Sequence, residues 1–166
     1  AGELTPLVYQ QLRQIASAVL AGEDVQRFDA TEMVHEAYLR LIGDADVKFL
    51  DRTHFFATAA TVIRRVLVDE ARKRRTQKRG GHASRVELDV VGMTDREQNI
   101  ELLTLNQALE ELAELSPRQA TLVELRFFGG LTQEEAAQSL GVSRRTVAGD
   151  WAMARAWLQR KLNDLS

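Results

Sequence analysis

Residues 131–162, LTQEEAAQSLGVSRRTVAGDWAMARAWLQRKL, constrain this chain more than any other stretch. Thr132 is placed to cap a short helix, and Glu135, three residues on, completes a capping box. Ala136, Ala137 and Leu140 supply the inner face of that helix, and Gly141 ends it with a residue that tolerates positive φ. Ser143 then caps a longer helix whose inner stripe is Val147, Trp151, Ala154, Leu158 and Leu162. A short helix, a tight Gly turn and a Ser-capped second helix make a helix-turn-helix, the unit that lays its second helix in a DNA major groove. An ordinary helical hairpin is the plainer alternative, and the arginine pair at the start of the second helix weighs against it.

Charge supports an anionic partner. The net charge of −2 conceals a strong segregation. Residues 64–79 hold eight basic side chains against Asp69 and Glu70, a local +6, so the remainder sums to −8. The basic run continues a long helix expected from Thr53. Its inner stripe is Phe55, Phe56, Ala59, Val62, Ile63, Val66, Leu67 and Ala71, and its other side carries Arg64, Arg65, Arg72 and Lys73. Like charges repel along a helix, so a polyanion explains the run better than solvent does. Each phosphate neutralised by Lys or Arg releases a counterion and makes binding salt-dependent.

The rest reads as helix with one interruption. Residues 4–20 have helical spacing, with Pro6 in the first turn. The helix at residues 29–42 buries Met33, Val34, Ala37, Tyr38, Leu41 and Ile42 and turns Glu32, Glu36 and Leu39 outward, flanked by His35 and Arg40. A leucine among carboxylates suits a partner-binding face, although single exposed apolar residues are common. Gly80-Gly81 breaks the pattern. Residues 80–98 are expected to be a linker, and the Val86, Leu88, Val90 alternation has no evident sheet to join. Helix is expected again from Ile100 to Leu115. A further helix is capped by Ser116, with Pro117 in its first position and Gln119 completing a box, and ends at Gly129-Gly130. The expected fold is therefore all-α: two small helical bundles, residues 1–79 and 99–166, joined by a flexible linker, the second bundle containing the helix-turn-helix.

Three blocks in this order, FDATEMVHEAYLRLI, HFFATAATVIRRVLVDEARKRR running into KRGG, and LSPRQATLVELRFFGGLTQEEAAQSLGVSRRTVAGDW, resemble the bacterial sigma factors of the extracytoplasmic-function (ECF) group. More narrowly they resemble the branch carrying TxxVHEAYLRL and ARxRRxxKRGG. The resemblance implies a non-catalytic, promoter-recognising subunit of RNA polymerase. Its first domain would bind the polymerase clamp helices through Glu32, His35, Glu36, Leu39 and Arg40. It would also recognise and melt the −10 element, with Arg64, Arg65, Arg72 and Lys73 on phosphates. Phe49 and His54, in or beside the preceding loop, are candidates to stack on a flipped base, with membership of the core as the alternative. The second domain would sit on the β flap and read the −35 element. The linker would pass near the polymerase active centre.

Two departures from the family pattern matter. Thr58 and Arg65 stand where many ECF sigma factors have Trp and Asn, so that base contact does not transfer. The outer face of the recognition helix is Arg145, Ala148, Gly149, Ala152, Met153 and Ala156, which leaves few donors for base edges. Discrimination at −35 is therefore expected from Arg144, Arg145 and Thr146, with Arg155 on phosphates and a contribution from DNA shape. Trp157, off the inner stripe, faces either a partner or the edge of the core.

Partners other than core polymerase and promoter DNA are few. An anti-sigma factor is admitted by the resemblance; a small-molecule substrate, a cofactor or a metal is not expected. No apolar run approaches about 18 residues, so no membrane insertion is expected, and with zero cysteines the expected location is the cytoplasm. A conventional helix-turn-helix repressor or activator remains the alternative, distinguished by its failure to bind polymerase. An enzyme acting on nucleic acid lacks a motif: His35-Glu36 has no second His at zinc-protease spacing, and no Gly-rich phosphate loop precedes a Lys.

Overall fold

Apolar spacing and capping chemistry account for most of the regular structure. The computed structural model describes residues 52–76, 85–87 and 99–165. The helices expected at residues 4–20 and 29–42, and the loop between residues 43 and 51, lie outside the described residues. The fold is all-α, with five helices among the described residues and one very short ladder. Helix α1 runs Arg52–Thr76, α2 Leu102–Leu115, α3 Pro117–Phe127, α4 Gln133–Leu140 and α5 Arg144–Leu165. Strands β1 (Arg85–Glu87) and β2 (Asn99–Glu101) pair antiparallel, with Val86 opposite Ile100.

That ladder corrects two expectations. The extended piece around Val86 does find a partner, in the residues just ahead of α2. The helix expected from Ile100 accordingly begins at Leu102. Backbone pairing with β1 holds Ile100 and Glu101 extended, and the half-buried Ile100 packs against the core. Three-residue strands lie near the lower limit for a ladder. Because β2 is continuous with α2, the core of the helices braces it.

Helix α3 is the hub, in contact with α1, α2, α4 and α5. Its Leu122, Val123, Leu125 and Phe127 are buried, together with Phe128 just beyond it. Phe127 and Phe128 meet edge to face, with centroids 4.9 Å apart at 75°, a geometry favoured by the ring quadrupoles. Ser116 caps α3 as expected, its Oγ accepting from the Gln119 amide at 3.2 Å. The expected box is not completed, however. The Gln119 side chain turns away, its Nε2 lying 3.9 Å from Met153 Sδ on α5.

Helix α1 shares this core. Ala59, Ala60, Ile63, Val66, Leu67 and Ala71 are buried in one apolar cluster with Leu102, Leu105, Leu109, Leu122 and Phe128. The approach is closest at Gly129, where an added Cβ would come within 2.9 Å of the Ala60 Cβ and 2.6 Å of the Leu125 carbonyl oxygen. Nothing larger than a hydrogen fits at Gly129 between the end of α3 and α1, and the chain turns at the next residue, Gly130, with φ 69°.

Candidate nucleic-acid interface

The helix-turn-helix is built as its residues dictate. Thr132 Oγ1 accepts from the Glu135 amide, and Glu135 Oε1 accepts from the Thr132 amide, each at 3.1 Å. The reciprocal box satisfies two donors that the first turn of α4 leaves without helical partners. Gly141 then adopts φ 69°, ψ 31°, the left-handed conformation that costs a side-chain-bearing residue roughly 1–2 kcal/mol. This turn lets the Val142 amide donate to the Ala137 carbonyl at 3.1 Å. Ser143 Oγ accepts from the Thr146 amide at 3.1 Å and starts α5.

Helix α5 divides as its spacing predicts. Val147, Trp151, Ala154, Leu158 and Leu162 are buried. Arg144, Arg145, Ala148, Gly149, Ala152, Met153 and Ala156 are exposed. Thr146 is half-buried and its Oγ1 accepts from the Ser143 hydroxyl at 3.0 Å. Arg155 is half-buried, and Arg144 pairs with Glu134 of α4 on the surface. Both partners are largely exposed, at 74% and 58%, so the pair contributes little to stability and Arg144 is easily released. Trp157 is half-buried and packs on the core edge.

Two contacts orient α5, and neither was evident in the sequence. Asp150, 7% exposed, accepts from Arg118 Nε at 2.6 Å and from the same guanidinium's Nη2 at 3.2 Å. These hydrogen bonds and the carboxylate charge raise the Arg118 pKa above its ordinary value. Its helical phase held the clue, since Asp150 lies three residues from Val147 and four from Ala154, both inward, and a carboxylate there needs a cation. Next to it, the Arg126 guanidinium stands 4.3 Å from the centre of the Trp151 ring. Burial lowers the pKa of Arg126, and the ring face provides compensating attraction.

The basic residues expected on one side of α1 do not share one environment. Arg65, Arg72 and Lys73 are exposed. Arg64 points into the contact with α2 and α3: its Nε donates to Asn106 Oδ1 at 2.8 Å and its Nη1 to Glu124 Oε1 at 3.2 Å. Glu124 also accepts from the Thr61 hydroxyl at 3.2 Å, and Asn106 Nδ2 donates to Glu110 at 3.3 Å. His54 lies in the first turn of α1. Glu32, His35, Glu36, Leu39, Arg40 and Phe49 lie outside the described residues.

Among the described residues, no cluster of His, Asp or Glu is placed to hold a metal ion. No helix among them is long and apolar enough to cross a membrane. The arrangement instead provides an exposed helix N-terminus bearing Arg144 and Arg145 and, on α1, an exposed basic strip. No curated protein matches the chain. The family model described as ECF sigma factor matches residues 1–164.

Proposed function

From the premise that the chain belongs to the ECF sigma factor family, and so serves transcription initiation as a sigma subunit, we propose that it directs core RNA polymerase to promoters by reading −35 and −10 elements and starting strand separation at −10. In this reading residues 1–79 and 99–166 act as the two promoter-facing domains, and residues 80–98 connect them. Glu32, His35, Glu36, Leu39 and Arg40 meet the polymerase clamp. Arg64, Arg65, Arg72 and Lys73 hold −10 phosphates, with Phe49 and His54 at the melted base. The second domain takes the β flap. The protein works in the cytoplasm with polymerase, without catalysis of its own, and is open to control by an anti-sigma factor.

One observation supports the −35 part above the others: a capped, Gly141-turned helix pair that leaves Arg144 and Arg145 exposed at the start of α5. A helix entering the major groove with its N-terminus leading contacts bases through its first turns, and arginine there is suited to guanine O6 and N7. The thinly functionalised middle of the outer face, Ala148, Gly149 and Ala152, puts the weight of recognition on this first turn and on groove shape.

Runoff transcription with core polymerase on a genomic library tests the reading. The chain is expected to co-elute with core enzyme and to give a small set of start sites sharing two upstream elements. A chain that forms no complex with core enzyme and leaves start-site choice unchanged sinks the proposal. Leu39→Glu is expected to weaken polymerase association while leaving binding to naked DNA unaffected.

A further inference from the structure

Between Arg145 and Arg160 the exposed residues of α5 are Ala148, Gly149, Ala152, Met153 and Ala156. None has a side-chain nitrogen or oxygen, so the outer face offers no hydrogen-bonding side chain over roughly 16 Å of helix, at 1.5 Å per residue. Asp150, the carboxylate in that stretch, is turned inward and held by Nε and Nη2 of Arg118. Arg155 is half-buried at one edge of the face. At the other edge Met153 is 65% exposed, one of two large apolar side chains so placed among the described residues, with Leu115 at the end of α2. The Met153 sulfur lies 3.9 Å from Gln119 Nε2 of α3, a contact that steadies the thioether at the α3 edge.

This face is continuous with the turn that carries Arg145. Arg145, Gly149, Ala152 and Ala156 follow one another at helical spacings of four, three and four, so a helix that brings Arg145 to base edges brings the apolar face to the base pairs beyond. An alanine methyl is short and reaches a base only if the backbone lies close to the groove floor. Gly149 permits that approach, since nothing stands within 4 Å of where its Cβ would be. All four base pairs present polar atoms in the major groove, and thymine adds a methyl group. That methyl is the feature an apolar face can select, because covering it removes apolar surface from water.

Resting on the promoter-recognition reading above, we propose that Ala148, Ala152 and Met153 are specificity-determining residues that select thymine in the −35 element by its C5 methyl group. The element is then read in two parts. Guanine lies at the end met by Arg144 and Arg145, and thymines lie beyond it on the strand that faces the middle of α5.

Deoxyuridine pairs as thymine does and lacks only the methyl. Core polymerase carrying the full-length chain is titrated with a promoter fragment taken from the runoff mapping, each −35 thymine being replaced in turn by deoxyuridine. At one or more positions binding is expected to weaken about fourfold, the ratio that one buried methyl group is worth. At the same position 5-methylcytosine opposite guanine should bind tighter than cytosine opposite guanine by a similar ratio. The deoxyuridine penalty should disappear in whichever of Ala148→Gln, Ala152→Gln or Met153→Gln alters the side chain facing that base. Equal binding of thymine and deoxyuridine at every position overturns the proposal. A penalty that persists unchanged in all three variants also overturns it, since the methyl would then act through DNA shape rather than contact. A holoenzyme that does not distinguish matched from scrambled −35 sequence at all instead sinks the promoter-recognition reading on which the proposal rests.

Discussion

Asp150 in the second turn of α5 and Arg118 in the first turn of α3 share two hydrogen bonds, at 2.6 and 3.2 Å. They are unequal partners, since the carboxylate side chain is 9% exposed and the guanidinium 49%. Removing either one therefore has different consequences. Arg118→Ala strands a buried carboxylate, whereas Asp150→Ala only returns an already half-solvated cation to water. Thermal unfolding is expected to show the larger fall in Tm for Arg118→Ala, with part of that loss recovered in the Arg118→Ala/Asp150→Ala double variant. Equal losses in both single variants, or additive losses in the double, would show that the pair does not couple the helices.

Gly129 lies where α3 meets α1. Gly129→Ala puts a methyl against the Leu125 carbonyl oxygen, the Ala60 Cβ and the Leu131 Cδ1, all within 2.9 Å. Overpacking of this kind costs about 1–3 kcal/mol. Because the carbonyl and Ala60 belong to two different helices, relief requires them to move apart. Hydrogen exchange is expected to speed up along α1 first, while amides of α4 and α5 keep their protection. Uniform loss of protection would instead mean that α1 has no separable contact.

The turn of the helix-turn-helix makes its own stability prediction. Thr132→Ala removes the side chain that accepts from the Glu135 amide and is expected to cost about 1 kcal/mol. Gly141→Ala has open space around the new methyl, so any loss comes from backbone conformation alone, roughly 1–2 kcal/mol. Denaturant midpoints measure both. An unchanged midpoint for Gly141→Ala would mean that the turn has relaxed out of its left-handed form.

Arginines at the two proposed DNA faces are expected to differ in kind. Replacing Arg144 and Arg145 together by Ala should reduce the preference for matched over scrambled −35 sequence by about tenfold or more, as expected for lost base contacts. Arg65→Glu, on the exposed side of α1, should weaken binding to all sequences alike and reduce the salt dependence by roughly one counterion. Binding titrations at several salt concentrations, on both templates, distinguish the two. The proposal for the recognition helix fails if the double Ala variant loses affinity equally on matched and scrambled DNA.

Glu in place of both Arg64 and Arg65 is expected to abolish open-complex formation with polymerase still bound, read by permanganate reactivity of unpaired thymines. Unchanged reactivity from this variant would remove α1 from the melting step.

Much of the fold was legible because its signals are local. Thr132, Glu135, Gly141, Ser143 and Ser116 act within a turn of where they stand, and the inner stripe of α5 follows from a period that every residue in it obeys. What stayed hidden depends on partners distant in sequence. The β1 residues look unpartnered until Asn99–Glu101 is folded back beside them. Gln119 was expected to close a box, but Met153, from another helix, lies within its reach. Arg64 looks like one more cation in a basic run, and only the docking of α1 on α2 and α3 gives it Asn106 and Glu124, 42 and 60 residues away. Among the described residues, sequence alone determined which helices form and most of the residues that face inward, since periodicity and caps are short-range. Which charges are spent inside the protein and which remain on its surface was decided by tertiary packing, because a charge is satisfied by whatever the fold brings within hydrogen-bonding distance.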